Sequence, residues 1–284
     1  MEPIGFMQGR LSALVDGKIQ AFPAQAWRAE FAQAAQLGLA LMEWTLDQTG
    51  LRDNPLMTPV GRAEIAALRV SHGIAIPSVT GDCFMQAPFW KVSGAGRAGR
   101  QQDFLDVVDA CGACSIGLLV VPLVDAGSLT SPADEDRLVQ WLLDQAGHFE
   151  RQHVRVLFES DFGPSELARL MDRLPMTFGI NYDIGNSAAL GFDPVEEFGA
   201  YGNRVLNVHV KDRPRNGTTV ALGRGDADFA AVFAALARAD YAGNYILQTA
   251  RAEDGDHAGV LARYRDLTTT WIRNARRDGQ GRRA

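Results

Sequence analysis

Cysteine is scarce in this 284-residue chain, which carries only Cys83, Cys111 and Cys114. The "CGAC" spacing at 111–114 invites a zinc or redox reading, but zinc needs a second pair or nearby histidines and neither is present. Phe104, Val107, Val108 and Cys111 fall on one helical face, so Cys111 is expected to fill core. No apolar run approaches the roughly 20 residues of a membrane span, which excludes a spanning helix. The opening "MEPIGFMQGR" has no basic stretch leading into an apolar one, so cytoplasmic residence is expected. Positive charge is in deficit as well. With a net charge of −6, broad nucleic-acid binding is disfavoured. The locally basic end, about residues 273–284, is expected to be a flexible tail.

What the chain does contain is repetition. Eight short apolar runs alternate with helical patterns: "IGFMQG" (4–9), "ALMEWTL" (40–46), "IAIPSVTG" (74–81), "GLLVVPL" (117–123), "VRVLFES" (154–160), "TFGINYDIG" (177–185), "VLNVHVK" (205–211) and "NYILQTA" (244–250). Their apolar character suits strands covered on both faces. Between them, "PAQAWRAEFAQAAQLG" sets Trp27, Phe31 and Ala35 on one stripe and stops at Gly38. "SPADEDRLVQWLLDQAGHF" opens with Ser131 as cap and Pro132 in the first turn. Eight such units predict one (β/α)8 TIM barrel over 1–284. An open doubly wound sheet is the alternative, but no glycine-rich dinucleotide loop follows the first strand.

In a parallel barrel the chemistry gathers where strands end. Run five ends in Glu159, run six in Asp183 and Asn186, run seven in His209 and run eight in Gln248. Four oxygen- or nitrogen-bearing groups on consecutive strands suit a divalent ion, Mn²⁺ foremost, with Mg²⁺, Co²⁺ or Zn²⁺ also compatible. Taken singly, each has a plainer account. A strand histidine can be a hydrogen-bonded core residue, an Asp at a strand end a turn or cap, and "KDR" (211–213) a solvated salt-bridge cluster.

The motifs "GFMQGRLS", "MEWTLD", "SVTGDCFMQAPF", "FES", "YDIGN", "NVHVKDR" and "LGRGDADF" together resemble the xylose-isomerase-like barrel family, the sugar-phosphate isomerase and epimerase group, over nearly the whole chain. The resemblance implies a metal held by Glu159, Asp183, His209 and Gln248. It implies a sugar, sugar phosphate or polyol as substrate and proton transfer through a metal-stabilised enediolate. In members that epimerise ketoses, the first and last of these positions are glutamates that work as an acid/base pair. Here Gln248 departs from that pattern: its carbonyl can meet a metal, but it cannot take a proton. With Glu159 as the one carboxylate base, isomerisation is the easier chemistry. Glu43 is then either a second acid/base group or an acceptor for a substrate hydroxyl.

Asn186, Arg10, Lys211, Arg215 and Arg251 are the expected substrate contacts, the cations for phosphate or carboxylate, with Arg213 beside them. Trp44, Phe84, Phe89 and Trp90 are expected to wall the pocket or else to lie in the core. "WKVSGAGRAG" (90–99) reads as a mobile loop, a candidate lid. Barrels of this type often pair, which makes a homodimer the assembly to look for. Three rival readings share the fold. A barrel endonuclease would need a histidine-rich zinc cluster, and the chain has five histidines in all. A polyol-ketone dehydratase would use the same metal and base. A non-catalytic sugar-binding barrel would account for Gln248.

Overall fold

The computed structural model describes residues 4–281. Eight parallel strands close into a barrel in sequence order, each bonded to the next and the eighth to the first. They are β1 Ile4–Met7, β2 Leu41–Thr45, β3 Ala75–Thr80, β4 Leu118–Leu123, β5 Arg155–Ser160, β6 Gly179–Asp183, β7 Val205–Val210 and β8 Asn244–Leu247. Every one lies within a predicted run. Each apolar run is too short for a helix and is bounded by turn residues, so period and length agree.

The helices are α1 Trp27–Gln36, α2 Pro59–His72, α3 Asp82–Gln86, α4 Gly94–Ala113, α5 Pro132–Arg151, α6 Pro164–Asp172, α7 Ile184–Leu190, α8 Pro194–Tyr201, α9 Phe229–Arg238 and α10 His257–Gly281. Ser131 caps α5 by accepting from Asp134 N, with Pro132 at the first position. The predicted mobile loop is the one clear misreading of an element. From Gly94 onward it is helix, because Phe104, Val107, Val108 and Cys111 give α4 an apolar face that holds the glycine-rich first turns in register. The expected flexible tail is also helical as far as Gly281, as part of α10; residues 282–284 lie outside the described residues.

Strand alternation sorts the side chains. Outward residues such as Met42, Trp44, Phe158, Tyr182, Val208 and Tyr245 pack beneath the helices. Inward residues of the middle layer are polar: Glu43, Ser78, Asn181, Asn207 and His209, all buried. A polar interior layer is costly unless satisfied, and here its members bond to one another. Asn207 Nδ2 donates to Glu43 Oε2 at 2.8 Å and to Asn181 Oδ1 at 2.7 Å, and Ser78 Oγ donates to Glu43 Oε2 at 2.6 Å. This layer is the floor on which the site stands. No helix among the described residues is long and apolar enough to cross a membrane.

Candidate metal and sugar site

Glu159, Asp183 and His209 are buried at the carboxyl ends of β5, β6 and β7, and each offers one ligand atom within 4.8 Å of the others. Strand order explains the convergence, since consecutive strands are neighbours and each of these residues ends an inward-facing row. His209 Nδ1 lies 3.2 Å from Glu159 Oε2 and 3.7 Å from Asp183 Oδ2. Its other nitrogen, Nε2, is 2.7 Å from Glu43 Oε1. A carboxylate at Nε2 holds the proton there and turns Nδ1 toward the cluster, the arrangement that orients metal-binding histidines. Burial works against a charged ring, but Glu43, Asp183 and Glu159 outweigh it and hold His209 well above the ordinary histidine range, so a cation at Nδ1 would bind by displacing a proton from it.

Asp183 serves twice. Its Oδ1 accepts from Asn186 N at 2.8 Å and so caps α7, while Oδ2 lies 2.7 Å from the Lys211 ammonium. The plain reading as a cap holds for Oδ1, while Oδ2 is left facing Lys211 and the cluster. Burial would raise this carboxyl, but Lys211 and then His209 overcome it and bring it down to about 2. Lys211 reaches Asp183 by running past Gly185, where a Cβ would come within 2.8 Å of the lysine Cγ. Asn186 Nδ2 donates to Glu159 Oε1 at 2.6 Å, and Asn181 Nδ2 to Glu159 Oε2 at 2.9 Å.

Gln248 follows β8 and lines the same cavity as Glu159, Asn186 and Lys211, a space of about 700 Å³. Its Nε2 donates to Gln20 Oε1 at 2.8 Å, and its buried Oε1 has no hydrogen-bond partner among the described residues. Two carboxylates and an imidazole in one cluster, with a donor-free amide oxygen on the cavity that Glu159 lines, are donor types suited to a hard divalent cation. Glu159, Asp183 and His209 therefore fit a divalent ion.

Several predicted substrate contacts lie elsewhere. Trp44 is fully buried and faces outward, edge-on to Trp27 at 5.5 Å, with Nε1 donating to Asn54. Adjacent strand residues point to opposite faces, so Glu43 and Trp44 cannot both face the barrel interior. Phe84 stacks on Phe104 of α4 at 4.3 Å, and Phe89 and Trp90 join the same outer core. Arg10 does not line the cavity: it donates to the Thr249 and Ile19 carbonyls and to Gln20 Oε1. Burial, then Arg251, lowers its pKa to about 9. Arg251 holds the Ser12 carbonyl and borders a separate cavity. Arg215 lays its guanidinium where a side chain at Gly191 would be, a position with φ +75°. Glu43 is fully buried and bound by His209, Ser78 and Asn207, beneath the cavity rather than on it.

Other residues on the cavity wall escaped the sequence reading. Gln20, Asp82, Asp125 and Asp161 line it. Arg213, which the sequence did suggest, lines it too, and its guanidinium donates to Asn186 Oδ1 and to the Gly217 carbonyl. "KDR" is not a solvated cluster, because Asp212 is buried and accepts from the amides of Gly223, Gly225 and Ala227, pinning the loop after β7. Only Asp82 had a usable signal, since "TGD" ends a predicted strand as "YD" does.

Residues 31–268 match the sequence profile of the family described as xylose isomerase-like TIM barrel. The chain is 22% identical over 240 residues to SgbU of Escherichia coli (strain K12), provisionally named an L-ribulose-5-phosphate 3-epimerase; the match covers 78% of this chain and 83% of that protein. Among solved structures, an L-ribulose 3-epimerase superposes with a TM-score of 0.75 at 16% identity, covering 100% of this chain and 99% of that one. A xylose isomerase-like barrel protein from Mycobacterium smegmatis, in complex with magnesium, gives 0.70 at 15% identity, covering 97% and 98%. At such identities the structural likeness is one of fold.

Proposed function

Because the chain belongs to the xylose isomerase-like TIM barrel family, we propose that it is a divalent-metal-dependent epimerase or isomerase of a sugar or sugar phosphate. The observation that carries this reading is the buried convergence of Glu159, Asp183 and His209, with the donor-free amide oxygen of Gln248 on the cavity that Glu159 lines. A divalent ion held by these four would polarise a substrate carbonyl and neutralise charge developing on its oxygen. Glu159 would take the proton from the carbon beside that carbonyl. Its carboxylate is aimed by Asn181 and Asn186, one on each oxygen. Glu43 would act from below, fixing the His209 ring rather than touching substrate. Arg213 and Lys18 on the cavity wall supply positive charge for an anionic substituent, which favours sugar phosphates within the class.

The test is a panel of ketopentoses, ketohexoses, aldoses, their phosphates and cyclic polyol ketones, incubated with the Mn²⁺-loaded protein in D₂O and followed by NMR. Metal-dependent deuterium entry beside the carbonyl, with a new sugar formed, is expected. Water loss from a polyol ketone would instead make it a dehydratase. Full metal loading with no exchange into any compound would reduce the protein to a sugar-binding barrel.

A further inference from the structure

Inversion at a carbon beside a carbonyl needs a proton removed on one side and another delivered on the other. Gln248 cannot serve as the second group, because an amide neither gives nor takes a proton at ordinary pH. Yet Gln248 does not stand alone. Its Nε2 donates to Gln20 Oε1 at 2.8 Å, and Gln20 Nε2 donates in turn to Asp82 Oδ2 at 2.6 Å. This pair of amides crosses the mouth of the barrel from the end of β8 to the end of β3. It terminates on a carboxyl that lines the same cavity as Glu159.

Asp82 differs from the two carboxylates of the metal cluster. Glu159 and Asp183 face His209, and Asp183 also faces Lys211. The hydrogen-bond partners of Asp82 are neutral, Gln20 and the Thr80 hydroxyl at 3.1 Å. It is buried, and no cation among the described residues is bonded to it, so it can hold or lose a proton without breaking an ion pair. Burial, the largest influence, raises it to about 6.

We propose that Asp82 is the second proton-transfer group of this site, facing the substrate from β3 while Glu159 faces it from β5, and that the chain therefore inverts configuration instead of moving the carbonyl. The inference rests on the functional reading above and narrows it to epimerisation. Glu159 takes the proton beside the carbonyl; the C–H electron pair forms a C–C double bond as the carbonyl pair moves onto its oxygen. The Asp82 carboxyl then gives its proton to that carbon while the oxygen pair re-forms the carbonyl. One carboxyl has gained a proton and the other has lost one, and exchange with water resets both. Gln20 is a positioning residue that aims Asp82.

The experiment follows deuterium and configuration together, using the Mn²⁺-loaded full chain and whichever sugar of the panel the wild type converts. In Asp82→Asn the new amide can accept from Gln20 and donate to Thr80, so the local bonds survive. Inversion should fall 100-fold or more. Deuterium should still enter the unconverted substrate at the same carbon, because Glu159 removes and returns a proton on its own side. Asp82→Glu, which keeps a carboxyl, should recover part of the inversion. Wild-type inversion in Asp82→Asn would overturn the proposal. So would loss of exchange together with inversion, since that would make Asp82 a structural support. A wild type silent on the whole panel would instead bring down the functional reading itself.

Discussion

His209 has a different task for each ring nitrogen, and its neighbours set which is which. Glu43 has no path to the cavity, but it receives Nε2 and three neighbours hold it in place. Glu43→Gln should therefore weaken metal binding about 10- to 100-fold while leaving the stoichiometry at saturation unchanged. Calorimetric titration with Mn²⁺ measures both. Unchanged affinity would show that Glu43 only fills the barrel. Asp82 makes a separate prediction about pH. A carboxyl raised to about 6 by burial binds its proton more tightly when folded than the ordinary 3.8 of the free group. Its contribution is fully present below about pH 4 and is lost as pH rises through 6. About two pKa units correspond to roughly 3 kcal/mol. Asp82→Asn should thus gain in stability relative to wild type between pH 4 and 8, by up to that amount. Parallel melting curves across that range would refute it. A proton-transfer group that costs stability near neutral pH is the usual trade between function and stability.

At the scale of elements, the loop after β1 matters most, because it carries Lys18 and Gln20 over the cavity. Its anchor is Glu30 of α1, a fully buried carboxylate that accepts from Gly9 N, Leu11 N and Ser12 Oγ at 2.8–3.0 Å. Arg10 fastens the far end of the loop by its bond to the Ile19 carbonyl and ties both to the Thr249 carbonyl after β8. Glu30→Ala would leave buried donors without acceptors, at a cost of roughly 2–4 kcal/mol. Hydrogen exchange across residues 9–20 should quicken, and the link from Gln248 through Gln20 to Asp82 should loosen with it. Exchange unchanged in that segment would mean that Arg10, Arg251 and the Gln20 bonds hold the loop without Glu30.

For the whole molecule, barrel closure and metal binding should act on the same equilibrium. An ion that binds only the folded barrel contributes about 2.7 kcal/mol at a hundredfold excess over its Kd. For a domain of this size that is a melting-point rise of roughly 5–8 °C. Mn²⁺ should produce it in the wild type, while Asp183→Asn and His209→Ala should abolish most of it. An equal rise in all three proteins would place the ion at another site.

The eight strands and the residues at their ends could be read directly from the chain because both depend on local pattern. Apolar runs of six to nine residues between amphipathic helices admit few folds, and barrel order makes neighbours in sequence neighbours in space. Glu159, Asp183 and His209 come from strands that follow one another, so their meeting required no long-range information. The failures share the opposite cause. Trp44 and Phe84 lie close in sequence to polar site residues but face the helices. Asp82 and Gln20 meet Gln248 only because β1 closes against β8, joining the two ends of the chain. Arg10, Arg215 and Arg251 were plausible anion contacts by charge, yet where a long guanidinium side chain ends is settled by which carbonyls lie within its reach. Pattern and chain order thus determined the barrel and the residues brought to its mouth. Only the folded packing decided which faced the cavity, because side-chain direction and loop contacts depend on partners far away in sequence.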